Sequence, residues 1–108
     1  MAKLEQIVNR NFDELLSAIE NGIMFGSVSA SMEDKTDFIS GASRCSVRVF
    51  ERYSYMGGNR VSMSVTLFQN ADGPVHLSAI TSGGSQAMFV KLNTFGEEAF
   101  LDKLREIL

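Results

Sequence analysis

The sequence predicts an α+β fold: a two-layer sandwich of an N-terminal helix, a four-stranded antiparallel meander and a C-terminal helix. Three observations lead there. Apolar residues near the start recur at helical spacing, the middle of the chain switches to period two between glycine- and asparagine-containing breaks, and helical spacing returns near the end. With 108 residues there is material for one two-layer core, so residues 1–108 are expected to form a single α+β domain.

Leu4, Ile7, Val8, Phe12, Leu15, Leu16 and Ile19 fall on one stripe, which predicts a helix over residues 3–20 ended by Asn21-Gly22. Alternation through Met24, Gly26, Val28, Ala30 and Met32 predicts the first strand. Glu33-Asp34-Lys35-Thr36-Asp37 is charged and predicts a turn, with Phe38 and Ile39 in the connection beyond it. In the second strand Cys45, Val47, Val49, Tyr53 and Tyr55 make the more apolar set. They are assigned to the core, which leaves Ser46, Arg48, Phe50 and Arg52 on the opposite face.

Met56-Gly57-Gly58-Asn59 has the residues of a tight hairpin. The third strand sets Val61, Met63, Val65 and Leu67 against Ser62, Ser64, Thr66 and Phe68. After the turn Asn70–Pro74, the fourth sets Val75, Leu77, Ala79 and Thr81 against His76, Ser78, Ile80 and Ser82. Thr94 followed by Glu97 is a capping-box pattern, and Phe100, Leu101, Leu104, Ile107 and Leu108 form the stripe of the C-terminal helix.

Ten Lys and Arg against thirteen Asp and Glu give a net charge of −3, which offers phosphate backbones and anionic lipid no general attraction. No nucleic-acid partner and no membrane association are expected, and no apolar run is long enough to span a bilayer. The lone Cys45 has no intramolecular disulfide partner, and the N-terminal residues lack the pattern of a secretory leader. A cytoplasmic location follows as the expectation.

The only histidine, His76, excludes any scheme that needs two. The predicted alternation puts Cys45 in the core and His76 on the other face, so both read as structural residues and no catalytic set is assigned. No cysteine-pair spacing supports zinc, the cluster Glu33-Asp34/Asp37 lacks the pattern of a calcium loop, and no metal or cofactor is expected. Two features remain. Ser82-Gly83-Gly84-Ser85 is short and glycine-paired, so its backbone N–H groups are candidates, with His76, for binding a ligand or anion. A face rich in hydroxyls (Ser27, Ser29, Ser31, Ser46, Ser54, Ser62, Ser64, Thr66, Ser78, Ser82) is interrupted by Phe25, Phe50, Phe68 and Ile80. Phe50, Phe68 and Ile80 are the candidate interface of a homodimer. Arg48 and Arg52 would add a positive patch near Arg60.

The runs Ile80-Thr81-Ser82-Gly83-Gly84-Ser85-Gln86-Ala87 and Asn93-Thr94-Phe95-Gly96-Glu97-Glu98-Ala99-Phe100-Leu101 resemble the C-terminal signature of a bacterial family of small stand-alone proteins of unknown function. The resemblance implies a bacterial, cytoplasmic protein and brings no activity, ligand or catalytic residue with it. The function the residues favour is a non-enzymatic binding or assembly module that meets a protein or small molecule through its Ser/Phe-rich sheet face. The alternative is a small enzyme or anion-binding protein using the Ser-Gly-Gly-Ser loop and His76.

Overall fold

The computed structural model describes residues 1–54, 59–83 and 90–108. Its elements follow in the order β1 (Ala2–Val8), α1 (Phe12–Gly26), β2 (Ser31–Ser40), β3 (Ser43–Ser54), β4 (Asn59–Asn70), β5 (Val75–Gly83) and α2 (Val90–Ile107). The fold is α+β. All strand pairs are antiparallel and the sheet order is β1-β5-β4-β3-β2. Strands β2 to β5 form a meander, and β1 extends it to five strands by pairing with β5. Both helices pack on one face of the sheet, where Phe12, Leu15, Ile19 and Ile23 of α1 and Phe100, Leu101 and Leu104 of α2 meet Phe50, Val61, Met63, Val65, Leu67, Val75, Leu77 and Ala79.

Four local differences from the sequence expectation have physical causes. Residues 3–8 are strand, not helix: Ala2, Leu4 and Val8 face the core at even positions, and Leu4 and Val8 satisfy a four-residue repeat as well as a two-residue one. The helix starts after Asn11, whose Oδ1 accepts a hydrogen bond from the Glu14 N–H at 3.0 Å. It also runs past Gly22 to Gly26, because Gly22 serves a close approach to α2 and not a cap: a methyl group there would overlap the Ile107 side chain. Finally, the charged stretch 33–37 is not a turn. It belongs to β2, an edge strand whose residues 33–40 are exposed, so no apolar alternation is required of it.

Strand β3 lies where expected with its faces exchanged. Arg48 pairs with Val65 and Phe50 with Met63, which turns Arg44, Ser46, Arg48, Phe50 and Arg52 toward the helices and Cys45, Val47, Val49 and Tyr53 away from them. Phe50 is fully buried, so its assignment to an exposed interface is corrected. The arginine patch dissolves for the same reason: Arg48 and Arg52 face the helices while Arg60, paired with Tyr53, lies on the other side. The β2–β3 hairpin closes through Gly41, with φ of +59°. Of the hairpin expected at residues 56–59, Asn59 is the first residue of β4 and pairs with Ser54, and residues 56–58 lie outside the described residues. Helix α2 begins at Val90, so Thr94 lies within it and not at its N-cap.

Candidate functional site

The face turned away from the helices is laid out by the strand register. One row crosses all five strands: Ile7 opposite His76, His76 opposite Phe68, Phe68 opposite Cys45, and Cys45 opposite Phe38. The next row is Glu5, Ser78, Thr66, Val47 and Thr36; a third is Lys3, Ile80, Ser64, Val49 and Asp34; a fourth is Ser82, Ser62, Glu51 and Ser31. Large side chains of the first and third rows stand in solvent, with Ile7 59%, Phe38 60%, Phe68 42% and Ile80 43% exposed. Hydroxyls and valines separate them. The result is an apolar band at one end of the sheet, a low carpet of short side chains in the middle, and opposite charges at the edges, Lys3 on β1 and Asp34 on β2.

The face rests on the core and is tied together by contacts among its own side chains. The carpet's floor is the core, since the residues alternating with it in β4 and β5 are buried. Ser62 and Ser82 share a 2.9 Å hydrogen bond across the strand pair, Arg60 holds Glu51 at 2.9 Å, and Lys3 holds Glu5 at 2.9 Å. The Phe68 and His76 rings lie 6.4 Å apart at 50°. With Ile7, Glu5, Thr66 and Ser78 they line a depression of about 430 Å³. A second hollow, about 280 Å³, lies between Glu51, Arg60, Ser62, Ser82 and Gly83.

The residues singled out in the sequence are distributed as follows. Phe68 and Ile80 share the open face, on adjacent strands and two rows apart, and Phe50 is on the other side. Cys45 and His76, expected on opposite faces, share this one, but Phe68 on β4 stands between them. Two strand spacings separate them, roughly 10 Å, beyond the reach of a nucleophile and its base. Glu5 and His76 line one depression, yet Glu5 is paired with Lys3 and no hydrogen bond joins it to His76. Ser27 and Ser29 lie between α1 and β2, off the sheet, and Ser46 faces the helices.

Ser82 and Gly83, the described part of the glycine-containing segment, do not meet His76. Gly83 and His76 occupy opposite ends of β5, seven residues or roughly 23 Å apart. The Gly83 N–H, a candidate anion donor, already donates to Glu97 Oε2 at 3.0 Å, a carboxylate that is almost fully buried and also holds the Met1 ammonium at 3.0 Å. Ser82 is engaged with Ser62, and Gly84 and Ser85 lie outside the described residues. Among the described residues no group of three His, Cys, Asp or Glu side chains is placed to hold a metal ion.

Beneath the face lies a feature that sequence reading missed. Arg44, Arg48 and Arg52 recur every fourth residue on the helix side of β3. Arg44 stacks on Phe12 at 3.9 Å and pairs with Asp13 at 2.9 Å; Arg52 stacks on Phe100 at 4.7 Å. Arg48, 5% exposed, donates from Nε to Glu20 at 2.8 Å and from Nη1 to Asp37 at 3.1 Å. Burial pushes its guanidinium down, and the hydrogen bonds and charges of Glu20 and Asp37 outweigh that and hold it above its ordinary value. The stripe ties β3 to α1 and α2 and fixes which face of β3 remains open.

The model of the family of unknown function DUF6054 matches residues 1–108. The chain belongs to that family. No curated protein and no solved structure matches this DUF6054 chain. The DUF6054 model extends over both the helices and the open sheet face, and the family description assigns the protein no activity. Among the described residues of this DUF6054 protein, no helix is long and apolar enough to cross a membrane.

Proposed function

We propose that this DUF6054 protein is a non-enzymatic binding and assembly module whose working surface is the open face of its sheet. The observation that supports it best is the row Ile7–His76–Phe68–Cys45–Phe38, which carries exposed apolar side chains across the full width of the sheet. Exposed apolar surface of this extent is costly in water and is relieved by a partner. The partner is a protein surface: a small molecule in the depression beside His76 would leave Phe38, Ile80 and Tyr53 uncovered. The short hydroxyl side chains between the apolar groups let a second surface approach closely. A cytoplasmic location is part of this proposal, supported by a single cysteine that a reducing compartment would keep as a thiol.

Cys45 is a built-in reporter, partly accessible in the middle of the apolar row. Its alkylation rate should fall as the protein's own concentration rises or when cell extract is added, because a covering surface shields the thiol. A rate that is the same in dilute protein, concentrated protein and extract would overturn the proposal.

A further inference from the structure

We infer that the open face binds a second copy of itself, with the two-fold axis parallel to strand β4 and lying between the two sheets. This rests on the reading that the open face is the working surface, and it names the occupant and the register. The axis follows from the order β1-β5-β4-β3-β2, in which β4 is central. A rotation about a line along β4 sets β4 on its own copy, β5 on β3 of the second copy, and β1 on β2 of the second copy.

Each row then meets itself. In the first row Phe68 faces Phe68, Ile7 faces Phe38 and His76 faces Cys45, so every large apolar group of the band meets the band of the other copy. In the second row the Glu5 carboxylate comes over the Thr36 hydroxyl, and Ser78 over Val47. In the third, Lys3 comes over Asp34, twice by symmetry, and Ile80 packs on Val49. Opposite charges thus sit at opposite edges of the same row, the arrangement this rotation requires for charge complementarity. Five strands and four rows give a footprint of roughly 600 Å² per copy before side-chain relief, near the ~800 Å² a side of a standard interface.

Other self-pairings fit less well. A two-fold perpendicular to the strands brings Lys3 over Glu5, but it lays the apolar row on the row of Ser82, Ser62, Glu51 and Ser31. Edge-to-edge pairing through β2 would bring together two strands that each carry Glu33, Asp34 and Asp37 against a single Lys35, and a bulge between Met32 and Asp34 interrupts the ladder.

Sedimentation velocity over a concentration series should show a monomer–dimer equilibrium. Phe68→Asp should abolish the dimer while circular dichroism stays unchanged, since Phe68 is exposed. Lys3→Glu alone and Asp34→Lys alone should each weaken the dimer roughly tenfold, and the double reversal should recover the wild-type value. In a Cys45→Ser background, Ser62→Cys should be joined to its own copy by a short bis-maleimide, because Ser62 lies on the axis. The perpendicular axis would put the two Ser62 positions roughly 20 Å apart. A dimer that fails to cross-link, or that is indifferent to both charge reversals, would overturn the register. A strict monomer at high concentration would overturn self-pairing; if Cys45 is nevertheless shielded in extract, the open face keeps its role with a different protein, whereas an unshielded Cys45 removes both readings.

Discussion

Arg48 occupies a position beneath α1 that its neighbours on β4 and β5 fill with Val65 and Ala79, and it is tolerated there because two carboxylates reach it. Such an ion pair contributes little net stability against an apolar replacement, but removing its anions leaves a buried cation uncompensated. Glu20→Gln combined with Asp37→Asn should therefore cost roughly 3 kcal/mol in urea unfolding, and Arg48→Met less, about 1 kcal/mol or below. The reverse order would mean that the side chain's packing matters more than its charge. The hydrogen bond from Ser46, followed by those from Arg48 and the Arg48 charge, holds the Asp37 carboxyl below the usual carboxylate range. A group with a depressed folded-state pKa stabilises the fold above its unfolded value and loses that contribution as pH falls through the folded one. Asp37 is about half exposed, which makes the effect modest, with side-chain exposure of 53%. Stability measured as pH falls from about 5 to well below 4 should decline more shallowly in Asp37→Asn than in wild type.

At the scale of elements, the contact of α1 with α2 depends on Gly22. Gly22→Ala gains up to ~1 kcal/mol of helix propensity and pushes only the flexible end of Ile107, so its net effect on thermal stability should be small. Gly22→Val has no such compensation and should cost roughly 2 kcal/mol, with Ile107→Ala in the same chain recovering part of it. The same glycine explains a boundary that was not legible in the sequence, because Asn-Gly spells a helix end whether or not a second helix lies against it. The strands β4 and β5 were legible, since one of their faces is apolar but for Thr81 and the other is polar but for Phe68 and Ile80. In β3 both faces mix the two kinds, Val47 and Val49 on one and Phe50 on the other, and the choice is settled by Glu20 and Asp37, which come from α1 and β2. The position of β1 was hidden because its partner lies at the far end of the chain, and β2 because an edge strand in water need not alternate. Of the candidate face, Phe68 and Ile80 could be read from the alternation. Ile7, Phe38, Val47 and Val49 could not, each belonging to a strand whose existence or facing depends on tertiary pairing.

The whole molecule is elongated, 47 × 24 × 22 Å, with β2 at one edge of the sheet and β1 at the other. The two edges differ in what they hold. Strand β2 contributes only Met32 and its neighbour Ala30 to the periphery of the core, whereas β1 contributes Ala2, Leu4 and Val8 and covers the edge of β5. Deleting residues 1–8 should then cost the cooperative unfolding transition, and the truncated chain should bind hydrophobic dyes; a sharp two-state melt would show that the meander and helices suffice.

The pairing of β1 with β5 also sets an order in time. Ala2 and Thr81, 79 residues apart, come together beside a buried Thr81 hydroxyl that donates to the Ala2 carbonyl. During synthesis the first strand leaves the ribosome long before its partner exists, while β2, β3 and β4 find theirs through short loops as they emerge. The earliest-made strand is the last to be placed. Until β5 arrives, the edge of β4 that will receive it is unpaired beside an apolar core face, so a chain arrested just short of Val75 is the form of this protein most exposed to aggregation and the one a chaperone would have to recognise.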